Sequence, residues 1–325
     1  MCKSTKFMCV KVMLKKYIVR YMEIHKIIKK NTICKLNNKT DICCILDDEL
    51  YQILNDTNNK KNILVLSGGG VKGIAHVGAL KAFEQLGMLK DFDTFSCTSV
   101  GGIVGLFISC GLKPDYIYKL LNIIGIDKLR SNKKSNFIQT YGVDIGEQFT
   151  TIISTILKEH GIKEDITFKE HFEKTRKKLI LTGTCINEKK IYYFSVDTFP
   201  DMKLLTALRI TISVPIIFSP VLFENKLFID GGCIDNYPIK LFDNNLDNVV
   251  GVFLDDETNE YKNINNLEDY LVGIFDCLYE SIHFNLCRGY EECTIKIKIN
   301  CPFDFNINKE KLNEIYLKGY NAVIK

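Results

Sequence analysis

Two consecutive stretches of this sequence read strand, glycine turn, helix, and they restrict the fold more than any other feature. Ile63 to Leu66 is an unbroken apolar run, as a strand buried on both faces requires. After it come Ser67-Gly68-Gly69-Gly70-Val71-Lys72-Gly73 and a helix-like segment, Ile74 to Leu86, which Gly87 ends. Asp93 to Thr98 is the next strand, Ser99 sits at a corner, and Gly101 to Cys110 is the next helix. Strand–helix–strand–helix at this spacing predicts a parallel sheet with helices on its faces. In such a sheet the turns that follow neighbouring strands lie side by side at one edge. The glycine loop and Ser99 therefore share an edge.

The rest of the chain extends that pattern. Beyond Pro114 the sequence turns helical and polar, with a loop expected at Arg130 to Ser135 and a helix near Gly146 to Glu159. Lys178 to Cys185 and Ile191 to Ser195 read as paired strands across Asn187-Glu188-Lys189, and Leu204 to Ser213 as a helix that stops before Pro215. Val221 to Phe223 and Lys226 to Ile229 flank Glu224-Asn225 as a hairpin that delivers Asp230-Gly231-Gly232. Asn248 to Leu254 is a further buried strand, Leu267 to Leu286 a long helix, Thr294 to Ile299 a late strand and Lys309 to Val323 a closing helix. No Pro/Gly/Ser-rich linker divides residues 62–325, which are expected to form one domain behind a basic extension of residues 1–61.

Four chemistries compete for the glycine loop. Gly68 to Gly73 fits G-x-G-x-x-G, but a dinucleotide site wants an acidic residue at the end of the next strand, and Thr98-Ser99 stands there. A Walker loop fails because Lys72 precedes Gly73 and no Gly-Lys-Ser/Thr follows. The loop can also be a tight turn that packs helix on sheet. An oxyanion hole is the remaining use: N–H groups at a helix start can bind developing negative charge if a nucleophile is near. Ser99 is that candidate, its hydroxyl pushed out of a strand-to-helix corner. For a base, His283 lies late in the chain but inside a helical stretch, whereas Asp230 ends a strand at a Gly-Gly turn. On spacing alone, Asp230 reads equally well as an ordinary Asp-Gly turn residue.

From about Asn62 to Val250 the sequence resembles the patatin-like phospholipases. Gly68-Gly69-Gly70-Val71-Lys72-Gly73 matches that family's glycine loop, and Ile74-Ala75-His76-Val77-Gly78-Ala79-Leu80 its first helix. Cys97-Thr98-Ser99-Val100-Gly101, continued by Gly102, matches the Gly-x-Ser-x-Gly nucleophile motif, with Cys97 in place of the first glycine. Asp230-Gly231-Gly232, followed by Asn236 and Pro238, matches the base motif, and Val214 to Pro220 the segment before it. The resemblance implies a three-layer α/β/α fold around a central, mainly parallel sheet. It implies an acyl hydrolase with a Ser–Asp dyad and without metal or organic cofactor, acting on phospholipid or other acyl lipids at a membrane surface. Ser99 would be the nucleophile, Asp230 the proton acceptor, and Gly68, Gly69 and Gly70 the oxyanion hole. Gly73, Gly101, Gly231 and Gly232 would support the turns. Lys72 reads either as a group that helps to draw in a phosphate head group or as a solvated loop lysine. At Cys97 the expectation is slight backbone strain, about 1–3 kcal/mol. A lipid-binding protein of the same fold with weakened turnover is the alternative reading.

Composition excludes several classes. With 43 basic and 39 acidic residues the net charge is +4, which suits contact with a lipid surface and does not indicate nucleic acid. The 13 cysteines form no C-x-x-C pair, so neither a zinc site nor a disulfide framework is indicated, and a reduced intracellular setting is expected. Basic residues interrupt the apolar ones between Phe7 and Met22, and the longest apolar stretch, Val100 to Leu112, is too short to span a bilayer. A cytoplasmic or peripherally membrane-associated protein without signal peptide or transmembrane helix is therefore expected. Val10, Met13, Leu14, Tyr17 and Tyr21 fall at helical spacing among lysines, so the extension is either a membrane-surface helix or a variable segment that packs on the main domain or frays.

Overall fold

The structure, a computed structural model, describes residues 61–124, 137–256, 263–283, 286–301 and 307–324. The basic extension up to Lys60 and the loop expected at Arg130 to Ser135 lie outside the described residues. The chain opens with β1 (Ile63–Leu66), α1 (Ile74–Gln85), β2 (Thr94–Cys97), α2 (Val100–Ser109) and α3 (Pro114–Ile124). The short α4 (Phe137–Thr140), β3 (Gly142–Asp144), α5 (Glu147–Glu159) and α6 (Phe168–Thr175) follow. Next come β4 (Lys178–Cys185), β5 (Lys190–Phe194), α7 (Leu204–Thr211), β6 (Ile216–Phe218), β7 (Val221–Phe223) and β8 (Lys226–Asp230). The last elements are β9 (Val249–Asp256), α8 (Leu267–His283), β10 (Thr294–Ile299) and α9 (Lys309–Ile324).

The main sheet has the order β10-β9-β1-β2-β4-β8-β7, with β5 also on β4. From β10 to β4 all neighbours are parallel, and β5, β7 and β8 are antiparallel to their partners. The fold is α/β with a mostly parallel central sheet. Alternate residues of β1 explain its unbroken apolar run: Leu64 and Leu66 join the larger core, and Ile63 and Val65 face a second cluster with Tyr237, Ile239 and Phe253. The larger core is built with α1, α2, α5 and α7, whereas Ile239 and, from α8, Ile282 cover the opposite face. Each fully buried aliphatic side chain there stabilises the fold by roughly 1.5–3 kcal/mol.

One arrangement in this sheet sets up everything that follows. Leu181 of β4 pairs with Cys97 of β2 and with Phe194 of β5, so those two strands lie on opposite edges of β4. Cys185 pairs with Lys190 of β5 and with Phe228 of β8, so β8 also lies opposite β5. Strands β2 and β8 thus share one edge of β4 and run toward each other. β2 stops beside Leu181 and β8 stops beside Gly183.

The small parallel pair of β3 and β6 was not expected, because three-residue strands leave no readable alternation. The helix expected to reach Ser213 ends at Thr211. The sequence also does not announce that α9 closes on α1. These helices cross backbone to backbone: a side chain on Gly78 would collide with the Tyr316 carbonyl, and one on Gly319 with the Ala75 carbonyl. We expect Gly319→Ala to lower stability by about 1–3 kcal/mol through this overpacking. A reduced urea midpoint would show it, and an unchanged midpoint would remove the crossing as a determinant of the fold.

Candidate active site

Ser99 follows β2 after Thr98 and caps the start of α2, with φ 54° and ψ −125°. A non-glycine residue there carries about 1–3 kcal/mol of strain and persists only where its surroundings over-determine it. They do. The Ser99 N–H donates to Thr211 Oγ1 at 2.9 Å, and the Ser99 carbonyl accepts from Gly102 N–H at 2.8 Å. Thr98 is tied by its N–H to Leu66 O and by its hydroxyl to Asp235 O, both at 3.1 Å, while Thr182 donates to Thr98 Oγ1 at 2.8 Å. Gly101 is required by close approach, since an added Cβ would stand 2.6 Å from the carbonyl oxygens of Leu66 and Ser67.

The glycine loop passes over this corner: a Cβ on Gly68 would stand 3.2 Å from Ser99 Cβ. The three glycines are not equivalent. Gly68 N–H donates to Asn236 O at 3.1 Å, whereas the N–H groups of Gly69 and Gly70 have no acceptor among the described residues. Gly70 has φ 54°, which suits a glycine. A side chain on Gly73 would run into Val100, so this position lets the loop and α2 close up. Lys72 is nearly buried and donates to both carboxylate oxygens of Asp256 at 2.7 Å. Its ammonium is held inside the protein by that pair. Behind the loop, His76 is fully buried and burial pulls it down to about 4, so the ring is neutral. Its Nε2 lies 2.8 Å from the Ser67 carbonyl, which can only accept, so Nε2 carries the proton.

Asp230 arrives from the opposite direction, at the end of β8. Its N–H donates to Ser213 O at 2.9 Å and its Oδ1 accepts from Gly232 N–H at 2.7 Å. Burial pushes its carboxyl up to about 7, opposed by the Ser99 hydroxyl and then by the Gly232 N–H. The Ser99 contact is looser than a regular hydrogen bond, and Asp230 Oδ2 is a buried oxygen without a close partner. The Gly-Gly turn is obligatory: a side chain on Gly231 would collide with Thr182 Oγ1, and one on Gly232 would stand 2.8 Å from Asn236 Oδ1. The Asn236 side chain wedges between Gly68 and Gly232, joining the glycine loop to the Asp230 turn.

Cys97 differs from the expectation. Its backbone is not in the left-handed region, and the strain sits at Ser99 instead. Its buried Sγ occupies space that Gly105 of α2 leaves open, 2.5 Å from where a Cβ would be. The structure thus brings together Ser99, Asp230 and the glycine loop, and leaves His283 as the last residue of α8. Sequence reading did not reach Thr182 and Thr211, which lie in a strand and a helix with no motif around them. Asn236 carried only the signal of its place after Asp230-Gly231-Gly232.

A serine on a strained corner, N–H groups without an acceptor among the described residues and a buried carboxyl are thus gathered at one place, and comparison with known proteins supplies the family. The sequence model of one family, described as patatin-like phospholipase, matches residues 64–243. The chain belongs to this family. An uncharacterized protein, R571, of Acanthamoeba polyphaga mimivirus is 31% identical over 275 residues, spanning 80% of this chain and 91% of that protein. A protein of Invertebrate iridescent virus 6 named probable lipid hydrolase 463L is 36% identical over 184 residues, 55% of this chain and 62% of that one. Among solved structures, VipD from Legionella pneumophila shares the fold with a TM-score of 0.58 at 15% identity, over 81% of this chain and 66% of VipD. Family membership makes the chain a hydrolase of lipids.

The packing at Cys97 predicts a compensating pair. Gly105→Ala should cost about 1–3 kcal/mol by crowding Sγ, and Cys97→Gly in the same molecule should recover most of it. Additive losses in chemical denaturation of the single and double variants would contradict the fit.

Proposed function

We propose that this protein is a phospholipase A or lysophospholipase in which Ser99 and Asp230 act as a dyad. The observation that carries the proposal is that two strands converging on one edge of β4 bring a strained serine against a buried carboxyl. A carboxylate whose pKa is raised to about 7 is a stronger base than an exposed one and still ionises near neutral pH. Asp230 takes the proton of Ser99 Oγ as that oxygen attacks the ester carbonyl of an acyl lipid. The N–H groups of Gly69 and Gly70 receive the oxyanion, at roughly 3–4 kcal/mol of transition-state stabilisation for each donor. Gly68 leaves the donor set because Asn236 O already accepts its N–H. Collapse breaks the ester bond, and the leaving alcohol takes the proton back from Asp230. Water, deprotonated by Asp230, then attacks the acyl-serine ester; the bond to Ser99 Oγ breaks, that oxygen takes the proton back from Asp230, and the fatty acid is released.

Every group in this sequence of steps belongs to the chain itself. Lys72 does not enter it, since its ammonium faces Asp256, and its role is to fix the glycine loop to the end of β9. Membrane contact is proposed as peripheral; no helix among the described residues is long and apolar enough to cross a bilayer. The reading of a weakened, lipid-binding relative draws no support from Cys97, whose backbone is ordinary and whose side chain is accommodated.

Fatty-acid release from phospholipid vesicles should fall by about 10³-fold or more in both Ser99→Ala and Asp230→Asn, by analogy with loss of a nucleophile or base elsewhere. Release by either variant at the wild-type rate would refute the dyad. In the wild type, kcat/KM should rise as pH increases through about 7 and then level, because the free enzyme must lose the Asp230 proton. A profile flat from pH 5 to 9 would contradict this base. Stability moves the other way. The folded-state value lies above the ordinary 3.8, so the native protein holds this proton more tightly and loses stability as pH rises from 3.8 through about 7. Asp230→Asn should therefore be more stable than wild type at pH 8, by at most about 1.4 kcal/mol for each pH unit between the two values. Equal thermal midpoints at pH 8 would contradict the buried, ionised carboxylate.

A further inference from the structure

Arg209, near the end of α7, is a buried guanidinium that the reaction scheme does not use. Its Nη1 donates to Ser213 Oγ at 2.5 Å, and that hydroxyl donates back to the Arg209 carbonyl at 2.6 Å. Its Nη2 donates to Ile145 O and to Ser219 O, each at 3.0 Å, and the guanidinium lies 5.3 Å from the Phe218 ring centroid. The chain makes room for it at Gly146, where a side chain would collide with the guanidinium. Burial pulls Arg209 down to about 10, opposed by the nearby Asp144, so it remains charged at neutral pH.

A buried cation held mainly by carbonyl and hydroxyl oxygens is an expensive way to fill space, and an apolar side chain of similar volume would pack there at lower cost. What it holds accounts for its presence. The turn that ends α7 touches both members of the dyad: Thr211 Oγ1 accepts the Ser99 N–H and the Ser213 carbonyl accepts the Asp230 N–H, both at 2.9 Å. A single residue, Ile212, separates those acceptors in sequence. The conformation of this turn therefore sets the separation of Ser99 from Asp230, and Arg209 locks the turn to the exits of β3 and β6.

We propose that Arg209 is a positioning residue for catalysis, holding Ser99 and Asp230 in register through the Thr211–Ser213 turn. It touches neither substrate nor reacting atoms. The proposal rests on the dyad reading above, and loss of Arg209 should act on kcat and leave KM near its wild-type value. A displacement of the order of 1 Å between reacting groups can cost about 10²-fold in rate.

The test uses the full chain, a soluble carboxylic ester as substrate and a fluorophosphonate probe that labels the nucleophilic serine. Arg209→Ala should lower kcat and the labelling rate by about 10²-fold with little change in KM, and added ethylguanidinium should restore part of both. Arg209→Lys keeps the charge but not the planar fork, and should show the same kcat loss in a protein with a wild-type near-ultraviolet circular dichroism spectrum. Ser213→Ala, which removes only the hydroxyl, should show a smaller loss of the same kind. These last two variants decide the matter if Arg209→Ala does not fold. Wild-type kcat per folded molecule in both would overturn the proposal, as would a kcat loss that merely follows the folded fraction. Ser99→Ala in the same assay separates the two claims: retained activity would end the dyad reading, whereas an inactive Ser99→Ala beside a fully active Arg209→Lys would end only the role of Arg209.

Discussion

The site depends on one edge of one strand. Along β4, Leu181 and Gly183 mark the points where β2 and β8 stop, and Thr182 lies between them. The Thr182 hydroxyl donates to Thr98, and Gly231 lacks the side chain that would collide with it. A parallel strand and an antiparallel strand sharing an edge must meet end to end, so residues at the two strand ends are carried to the same place. That geometry places a serine and an aspartate 131 positions apart in sequence against each other without a dedicated loop to join them.

The surroundings hold these groups in states that they would not adopt alone. Ser99 sits at positive φ, and Asp230 is buried where its neutral form is favoured, which pushes its carboxyl up to about 7. Both are tethered through their backbone N–H groups, by Thr211 and Ser213 at the end of one helix. Backbone tethering leaves the side-chain oxygens out of these contacts. Asp230 Oδ1 is anchored by Gly232, whereas Oδ2 has no hydrogen-bond partner among the described residues. The glycine loop is organised on the same principle. Gly68 is pinned to Asn236, His76 holds the Ser67 carbonyl, and the next two N–H groups have no acceptor among the described residues.

Much of the fold was legible along the chain, for a physical reason. Strands β1 and β10 are read at their observed limits because apolar runs and alternation act over neighbouring residues. The pairs β1–β2 and β9–β10 are also local, since strand–helix–strand connections in one sheet have one preferred hand, whereas the pairing of β1 with β9 is not. β3 and β6 were not legible, because strands of three residues are defined by each other and by Arg209 rather than by their own pattern. The expected strain at Cys97 was misplaced for a related reason. Its tolerance depends on Gly105, eight residues on and one helix turn away from any motif, which leaves the space that Sγ fills.

The sequence by itself determined the chemistry on offer: a corner serine and a glycine loop at helix starts after parallel strands, and an aspartate closing a hairpin. These are properties of side-chain type and of short-range backbone preference, and they are carried by consecutive residues. Only the tertiary structure decided which of those groups are free to act. It engages Lys72 with Asp256 and the Gly68 N–H with Asn236, it leaves Gly69 and Gly70 open, and it buries Asp230 until its proton affinity rises. Hydrogen-bond partners and desolvation are set by residues from distant parts of the chain, and no local pattern records them.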